Sequence, residues 1–336
     1  MMAARWIGTG SVLLLGGATG LYHSIKQSLD QRTLAQADSG WGGSQVNLTL
    51  YQYDRCTQCS QLRAFLDYYG IEYHTQHVKW SQYRSVPVLT IDGGDSLELN
   101  DASVIISAMK TCMIDRSRSL SEVIRFYPQL TSTNFFGQEV TEFTNKYWVM
   151  LNEIAVESVY PSKSARKEEV RWRRWTDEWL LHLVSPNVFR TPSEALAACG
   201  LIVREGRFGA VDGVLVKYVG AVTMFLLSKL LKVWYRLQDD VREDLYSAVN
   251  EWVTAIGRRR TFMGGDEPNL ADLAVFGVLR TIEGLQAFDD IMEKTKVKKW
   301  YLAMERATEE HLGQSDASMS LSEALTSVKS QSASAS

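Results

Sequence analysis

The chain has 336 residues, 45% of them hydrophobic and 22% charged, with a formal net charge of −3. That length and composition predict a globular two-domain protein with ample core, and the small negative charge excludes a general electrostatic attraction to nucleic acid. Four cysteines in so long a chain exclude a secreted disulfide framework.

The seventeen residues from Trp6 to Tyr22 carry no charge. As a helix they span roughly 25 Å, slightly short of the ~30 Å hydrocarbon core of a bilayer. Arg5 precedes the run, Lys26 and Arg32 follow it, and no acidic residue occurs before Asp30. The pattern predicts a single membrane anchor or an uncleaved organelle-targeting segment over residues 1–30. The small residues from Gly16 to Gly20 leave a cleaved secretory peptide open, although an oxidising compartment suits the thiols downstream poorly. Gly16 and Gly20 also form G-x-x-x-G, a spacing that lets two helices approach and points to a homodimer. Residues 31–45, with Gly40, Gly42, Gly43 and Ser44, read as a flexible linker.

The alternation of Leu48 and Leu50 against Tyr51 and Tyr53 reads as a strand. Gln61 to Tyr69, with Leu62, Phe65, Leu66 and Tyr69 at helical spacing, reads as the helix after it. Between them stand Cys56 and Cys59, which places Cys56 at a helix N-terminus where loose N–H groups and the dipole favour an anion. A thiol so placed has its pKa lowered from about 8.5 into the range of roughly 3.5–7.5. The combination is a glutathione- or thiol-handling site. A structural zinc reading lacks its partners: Cys112 and Cys199 stand alone in apolar helical contexts and no paired histidines follow. Both read as buried small apolar residues.

Ile71 to Val78 reads as a second strand and Ser85 to Ile91 as a third. After the turn Asp92-Gly93-Gly94-Asp95, Ser96 to Leu99 forms a short fourth strand, and Asn100-Asp101-Ala102-Ser103 opens a helix over Val104 to Met113. The order is that of a thioredoxin-like unit. In that unit Pro87 is a cis proline facing the cysteines, and Val86 before it offers backbone groups to the cysteinyl part of glutathione. Asp101 and Ser103 have two compatible readings, an N-cap for the helix and a seat for the glutamyl end of glutathione at a helix start.

From Leu120 onward the pattern is helical. The candidates are Gly137–Tyr160, Ser164–Val184, Pro192–Arg207, Val211–Tyr235, Gln238–Arg259, Asn269–Gln286 and Val297–Leu312. Arg166 to Arg174 is interrupted by Glu168 and Glu169 and followed by Asp177 and Glu178, and reads as a solvated face with i,i+4 pairing. Trp172, Trp175 and Trp179 mark a core face. Val211 to Leu231 is apolar enough to span a membrane, but Asp212, Lys217 and Lys229 favour a buried or interface helix, with an apolar surface for a lipid-borne substrate as a further reading. Asn269 and Asp272 form a reciprocal cap. Residues 314–336 are rich in Ser and Ala and are expected to be disordered.

A family resemblance rests on Tyr51-Gln-Tyr53, Cys56-x-x-Cys59, Arg63-Ala-Phe-Leu-Asp67, Tyr83-Arg-Ser-Val-Pro87 and Asn100-Asp-Ala-Ser-Val-Ile-Ile-Ser107. It continues in Glu139-Val-Thr-Glu-Phe-Thr-Asn-Lys-Tyr-Trp148, Ser185-Pro-Asn-Val-Phe-Arg-Thr-Pro192, Ile202-Val-Arg-Glu-Gly206, Val241-Arg-Glu-Asp-Leu-Tyr246, Phe262-Met-Gly-Gly265 and Pro268-Asn-Leu-Ala-Asp-Leu-Ala274. Residues 46–312 resemble the membrane-associated prostaglandin E synthase type 2 family, a branch of the glutathione-transferase-like superfamily. The resemblance implies an α/β plus all-α fold: a thioredoxin/glutaredoxin-like domain over 46–115 and a glutathione-transferase-like helical domain over 116–313, behind an N-terminal membrane-spanning helix. It implies isomerisation of prostaglandin H2, a lipid-derived small molecule, to prostaglandin E2 with Cys56 as the working thiol and glutathione bound, and in some members haem.

The chain departs from the family pattern at five positions. Thr57 and Gln58 stand where the family has Pro and an aromatic residue, and Ala102 replaces a serine that would help hold the glutamyl carboxylate. His182 and Arg236 match positions of the haem–glutathione pocket, but the basic residues expected before Arg236 are Leu230 and Trp234. In the mechanism implied, Cys56 attacks a peroxide oxygen or a disulfide sulfur, Cys59 resolves a mixed disulfide, and Tyr53 hydrogen-bonds thiolate or substrate. A glutathione-dependent thiol–disulfide oxidoreductase or transferase is the alternative, and a non-catalytic haem- or glutathione-binding protein the third. The catalytic part is expected to face a reducing compartment from a Golgi or mitochondrial membrane, which the sequence does not tell apart.

Overall fold

The structure, a computed structural model, describes residues 47–53, 55–78, 86–92, 97–133, 139–206 and 208–314. The expected anchor over 1–30, the linker over 31–45, the tail beyond Gln314 and the motif residues Tyr83, Arg84 and Ser85 lie outside the described residues.

Strand β1 (Asn47–Gln52) leads through the cysteine turn into α1 (Thr57–Tyr68). Leu48 and Leu50 are buried while Tyr51 and Tyr53 are half-buried, so the predicted alternation holds. α1 starts earlier than its apolar pattern, because Cys56 caps it, and therefore carries Cys59 in its first turn. It ends at Gly70, whose φ of +59° lets the N–H groups of Gly70 and Ile71 close on the carbonyls of Asp67 and Leu66. That closure uses up the start of the expected second strand, and β2 is only His74–His77. β3 (Val88–Asp92) and β4 (Leu97–Asn100) follow. The sheet order is β2-β1-β3-β4, with β1 parallel to β2 and antiparallel to β3, and β3 antiparallel to β4. Its apolar face (Leu48, Leu50, Leu89, Leu99) shares one core with Leu62, Phe65 and Leu66 of α1 and with Ile105 and Met109 of α2 (Ala102–Ile114). This is the predicted thioredoxin-like unit, and the Val86–Pro87 peptide is cis.

After α3 (Leu120–Ile124) the structure corrects the expectation of a helix over Gly137–Tyr160. Strands β5 (Gln129–Thr133) and β6 (Glu139–Phe143) pair antiparallel there, Thr131 opposite Thr141, and only α4 (Glu153–Val159) is helical. The threonines and Val140 favour extended backbone over helix. Asn152 then caps α4 by accepting the Ala155 N–H.

Helix α5 (Lys163–Trp175) runs through a π-helical turn, Thr176–Leu180, into α6 (Leu181–Val188), with Pro186 inside it. α7 (Pro192–Glu205) is capped by Thr191. α8 (Ala210–Leu215), a second π turn (Val216–Gly220) and α9 (Ala221–Trp234) form one continuous helix. Then come α10 (Val241–Ile256), α11 (Leu270–Arg280), α12 (Gln286–Lys294), for which the sequence pattern gave no helix of its own, and α13 (Lys298–Glu309). The Asn269–Asp272 cap forms as expected, each side chain accepting the other residue's N–H. Trp172, Trp252 and Trp300 stack edge to face at 5.3 and 5.4 Å through the helical core, so Trp172 is core as predicted.

One expectation about helix faces fails and another is narrowed. The α5 face read as solvated buries Glu169 and Arg173, because that side packs against α2 and the start of α11. Of the readings for the apolar helix, the buried one is ruled out and the interface or apolar-surface ones stand: over Ala210–Trp234 little more than a quarter of the most apolar stretch is covered (28%).

Candidate active site

The cysteine turn sits between two fixed points, β1 and the first turn of α1. Cys56 is extended (φ −70°, ψ 122°) and partly exposed, and its Sγ accepts the Cys59 N–H at 3.4 Å. Its pKa is pushed down, chiefly by the hydrogen bond from the Cys59 thiol, helped by the N–H groups of Cys59 and Gln58 and the Arg63 charge, and opposed by burial. Cys59 is fully buried and pushed well up, by burial first and then by its bond to Cys56 and the charge there. One sulfur is thus poised as thiolate and the other as its S–H donor. Tyr53 packs against the pair, and its phenol is pushed up to about 12, by burial and then by the two sulfurs. It stays protonated near neutrality and is a proton donor there. Val86 lies in the same small apolar cluster as Cys56, Cys59 and Tyr53, with buried Pro87 next to it.

The second half of the site is the start of α2. Asp101, held at φ +80°, caps the helix through Oδ1, which accepts the N–H groups of Ser103 (2.9 Å) and Val104 (3.2 Å). Its Oδ2 faces Lys146 Nζ at 3.6 Å. Ser103 Oγ donates to Asp177 Oδ2 at 2.9 Å, and Gln61 Nε2 donates to Asp177 Oδ1 at 3.1 Å. Ala102 is buried between them in sequence and offers no polar atom. Two carboxylates, a lysine and a hydroxyl therefore surround one helix N-terminus, a set that complements a zwitterionic amino-acid head.

Asp177, Gln61 and Lys146 were missed by the sequence reading. Asp177 belongs to the π turn, whose wider pitch offsets the helix face, and its partners lie 74 and 116 residues away in sequence. Arg55, next to the nucleophile, was missed too: it forks onto Glu205 at 2.8 and 2.7 Å and donates to the carbonyls of Thr281 and Glu283.

His182 and Arg236 are placed differently from the rest. His182 is buried on α6, its ring stacked on Tyr235 at 4.6 Å, and its pKa is pushed down to about 4 by burial against the opposing pull of Asp177. Arg236 follows Tyr235 with φ +54° and is exposed. Cys112 and Cys199 are buried, as predicted, and their thiols are pushed up to about 12 and about 11 by burial. Among the described residues no group of three His, Cys, Asp or Glu side chains converges as metal ligands would.

No family model matches the chain. Prostaglandin E synthase 2 of Danio rerio is 53% identical to it over 323 residues, covering 92% of this chain and 85% of that protein. Prostaglandin E synthase 2 of Mus musculus is 53% identical over 312 residues, covering 89% of this chain and 81% of that protein. Among solved structures, the beta-etherase LigF from Sphingobium sp. strain SYK-6 is 14% identical with a TM-score of 0.46, over 79% of this chain and 98% of its own.

Proposed function

The chain belongs to the prostaglandin E synthase 2 family, and from that membership and the Cys56 site we propose that it isomerises prostaglandin H2 to prostaglandin E2. The observation that carries the chemistry is the partly exposed Cys56 at the helix start, whose Sγ accepts the Cys59 N–H and is held as thiolate by the buried Cys59 thiol. The thiolate attacks the peroxide oxygen on the ring carbon that becomes the ketone. The O–O bond breaks, and its electron pair leaves on the other oxygen, which takes the Tyr53 proton and becomes the hydroxyl. The tyrosinate then removes the hydrogen of the first ring carbon as a proton. The carbonyl forms as the S–O bond breaks, and its electron pair returns to Cys56 as thiolate. No net oxidant or reductant is consumed, as an isomerisation requires.

Glutathione fits the residues present. Its cysteinyl backbone would lie along Val86 beside Pro87, its glutamyl carboxylate at Ser103 and Lys146, and its ammonium at Asp101 and Asp177. Ala102 contributes shape only. The bound tripeptide would supply a second thiol that returns Cys56 to the reduced state if it is oxidised. Haem does not fit: His182 is covered by Tyr235, and the positions that would supply cations near Arg236 are Leu230 and Trp234. The domain division 46–115 and 116–313, membrane attachment through Trp6–Tyr22 and a homodimer complete the reading.

A thiol–disulfide oxidoreductase is the second reading, favoured by two free thiols three residues apart in one turn. Product analysis with prostaglandin H2 separates the two. Cys56→Ser is expected to lose prostaglandin E2 formation and disulfide reduction alike, whereas Cys59→Ser loses disulfide reduction and keeps isomerisation at a reduced rate. A Cys56→Ser enzyme that still forms prostaglandin E2 at the wild-type rate would overturn the assignment.

A further inference from the structure

The outward side of α5 is built of cations. Its exposed residues are Lys163, Ser164, Lys167, Arg171 and Arg174, and their spacing puts the four charges on one face along roughly 16 Å of helix. The two acids between them are taken from beneath. Glu168 accepts from Arg260 Nη1 at 2.9 Å, and Glu169 is buried on Tyr160 Oη and the Leu270 N–H. The Arg260 bond also brings Arg258 and Arg259, both exposed, up beside the helix. The exposed carboxylates of the neighbouring segments stand at the margins: Glu153 and Glu157 on α4, Glu178 past the end of α5, and Asp266 and Glu267 before α11. In a chain of net charge −3, a stripe of one sign is a surface for a partner of the other.

The direction of the stripe says which anions it meets. Arg166 donates to the Val149 carbonyl at 2.8 Å, and the next residue, Met150, donates its N–H to Thr111 Oγ1 near the end of α2 at 2.9 Å. Arg173 donates to the Ser103 carbonyl at the start of α2 at 3.1 Å. α5 therefore runs antiparallel to α2. α2 starts where β4 ends, opposite Val88, and returns along the sheet towards the end where Asn47 pairs with Asp92. Lys163 and Lys167 thus lie at the end where the chain enters the fold from the segment read as anchor and linker. Arg174 lies one turn before Asp177 at the start of α2. The cations run from the chain's entry point to the glutathione pocket, along the side that a tether through Trp6–Tyr22 holds near a bilayer. Single-stranded nucleic acid asks for aromatic platforms between the charges, and α5 exposes only Ser164 there.

We propose that the basic face of α5, with Arg258 and Arg259, docks the protein on anionic lipid headgroups and lays the edge of the glutathione pocket against the bilayer that carries an apolar substrate. Each cation near such a surface adds attraction, which salt screens. The proposal rests on the membrane attachment in the functional reading and not on the reaction, so a failed isomerase assay leaves it standing.

The test uses the full chain with vesicles of phosphatidylcholine alone and of phosphatidylcholine with phosphatidylserine, and reads lysine acylation by mass spectrometry. On the phosphatidylserine vesicles Lys163 and Lys167 should acylate severalfold more slowly than on the neutral ones, while Lys298, exposed on α13, labels equally on both. High salt should abolish the difference. The triple variant Lys167→Gln, Arg171→Gln, Arg174→Gln should lose the protection of Lys163 with an unchanged circular dichroism spectrum, and a triple variant that keeps it overturns the proposal. A wild type that sediments with both kinds of vesicle but labels equally on them keeps its anchor and overturns the proposal. One that sediments with the anionic vesicles alone, with Lys163 and Lys167 protected, supports the stripe and overturns the anchor. Sedimentation with neither overturns both. Protection by single-stranded RNA and not by the anionic vesicles would assign the stripe to nucleic acid instead.

Discussion

Cys56 and Cys59 share a turn and sit on opposite sides of the ordinary thiol pKa because the hydrogen bond between them holds Cys56 down, while burial and the same bond push Cys59 up. The Cys59 S–H bond is the largest stabiliser of the Cys56 thiolate, so Cys59→Ala should move the midpoint for Cys56 alkylation by iodoacetamide to higher pH. At fixed neutral pH the same variant should alkylate more slowly. An unchanged midpoint would show that the backbone N–H groups and Arg63 suffice. His182 offers a second titration. Its folded pKa of about 4 lies below the ordinary 6.5, so the folded state disfavours the proton that the unfolded chain accepts. The stabilisation is complete above pH 6.5 and is lost as pH falls towards 4, by about 3 kcal/mol at about 1.4 kcal/mol per unit. His182→Gln should therefore narrow its stability gap to wild type between pH 7 and pH 5 in urea unfolding. Parallel curves would place the histidine's proton elsewhere. The cysteine site was legible in the sequence because strand, cap and helix are neighbours along the chain. Asp177 was not, because its role exists only once α5 has docked on α1 and α2.

The start of α2 shows how one element is made into part of a site by another. Arg173 of α5 is almost wholly buried and spends its guanidinium on the Ser103 carbonyl (3.1 Å), the Tyr147 carbonyl (2.8 Å) and Ser107 Oγ (2.8 Å). Glu169, one turn earlier, accepts from Tyr160 Oη and the Leu270 N–H. A run of alternating charges gives the same pattern whether its helix faces water or a polar seam, which is why the sequence led to a solvated face. The β5–β6 hairpin was hidden for a related reason. Among the described residues its two strands pair only with each other, and neither Gln129–Thr133 nor Glu139–Phe143 has the apolar sequence that marks a core strand. Arg173→Met keeps the bulk of the side chain but strips the guanidinium from the Tyr147 carbonyl, the Ser103 carbonyl and the buried Ser107 hydroxyl, and should cost about 2–4 kcal/mol in urea unfolding. It should also weaken glutathione binding measured by calorimetry, since Ser103 loses its brace. A loss of stability below about 1 kcal/mol would mean that water replaces the guanidinium.

At the scale of the whole molecule, the sheet unit and the helical part meet where α1 crosses α11. The crossing is close because Gly277 has no side chain: a Cβ there would stand 2.4 Å from Gln61 Cα and 2.7 Å from Gln61 N. Those atoms are backbone, in the first turns of the helix that Cys56 caps, and cannot rotate aside. Arg55 clasps the same junction from the other side of the cysteine turn, through Glu205 and the carbonyls at the end of α11. The distance between the two parts therefore sets the position of the nucleophile's turn. Gly277→Ala should push α1 off α11, costing about 1–3 kcal/mol as overpacking does, and should change the alkylation rate of Cys56, which a purely remote defect would leave alone. Arg55→Ala added to it supplies the control for coupling through one junction. Because both changes loosen the same contact, their combined effect on stability should fall short of the sum by more than about 0.5 kcal/mol, the error of independent sites. Strict additivity would mean that the glycine crossing and the arginine clasp hold the two parts independently.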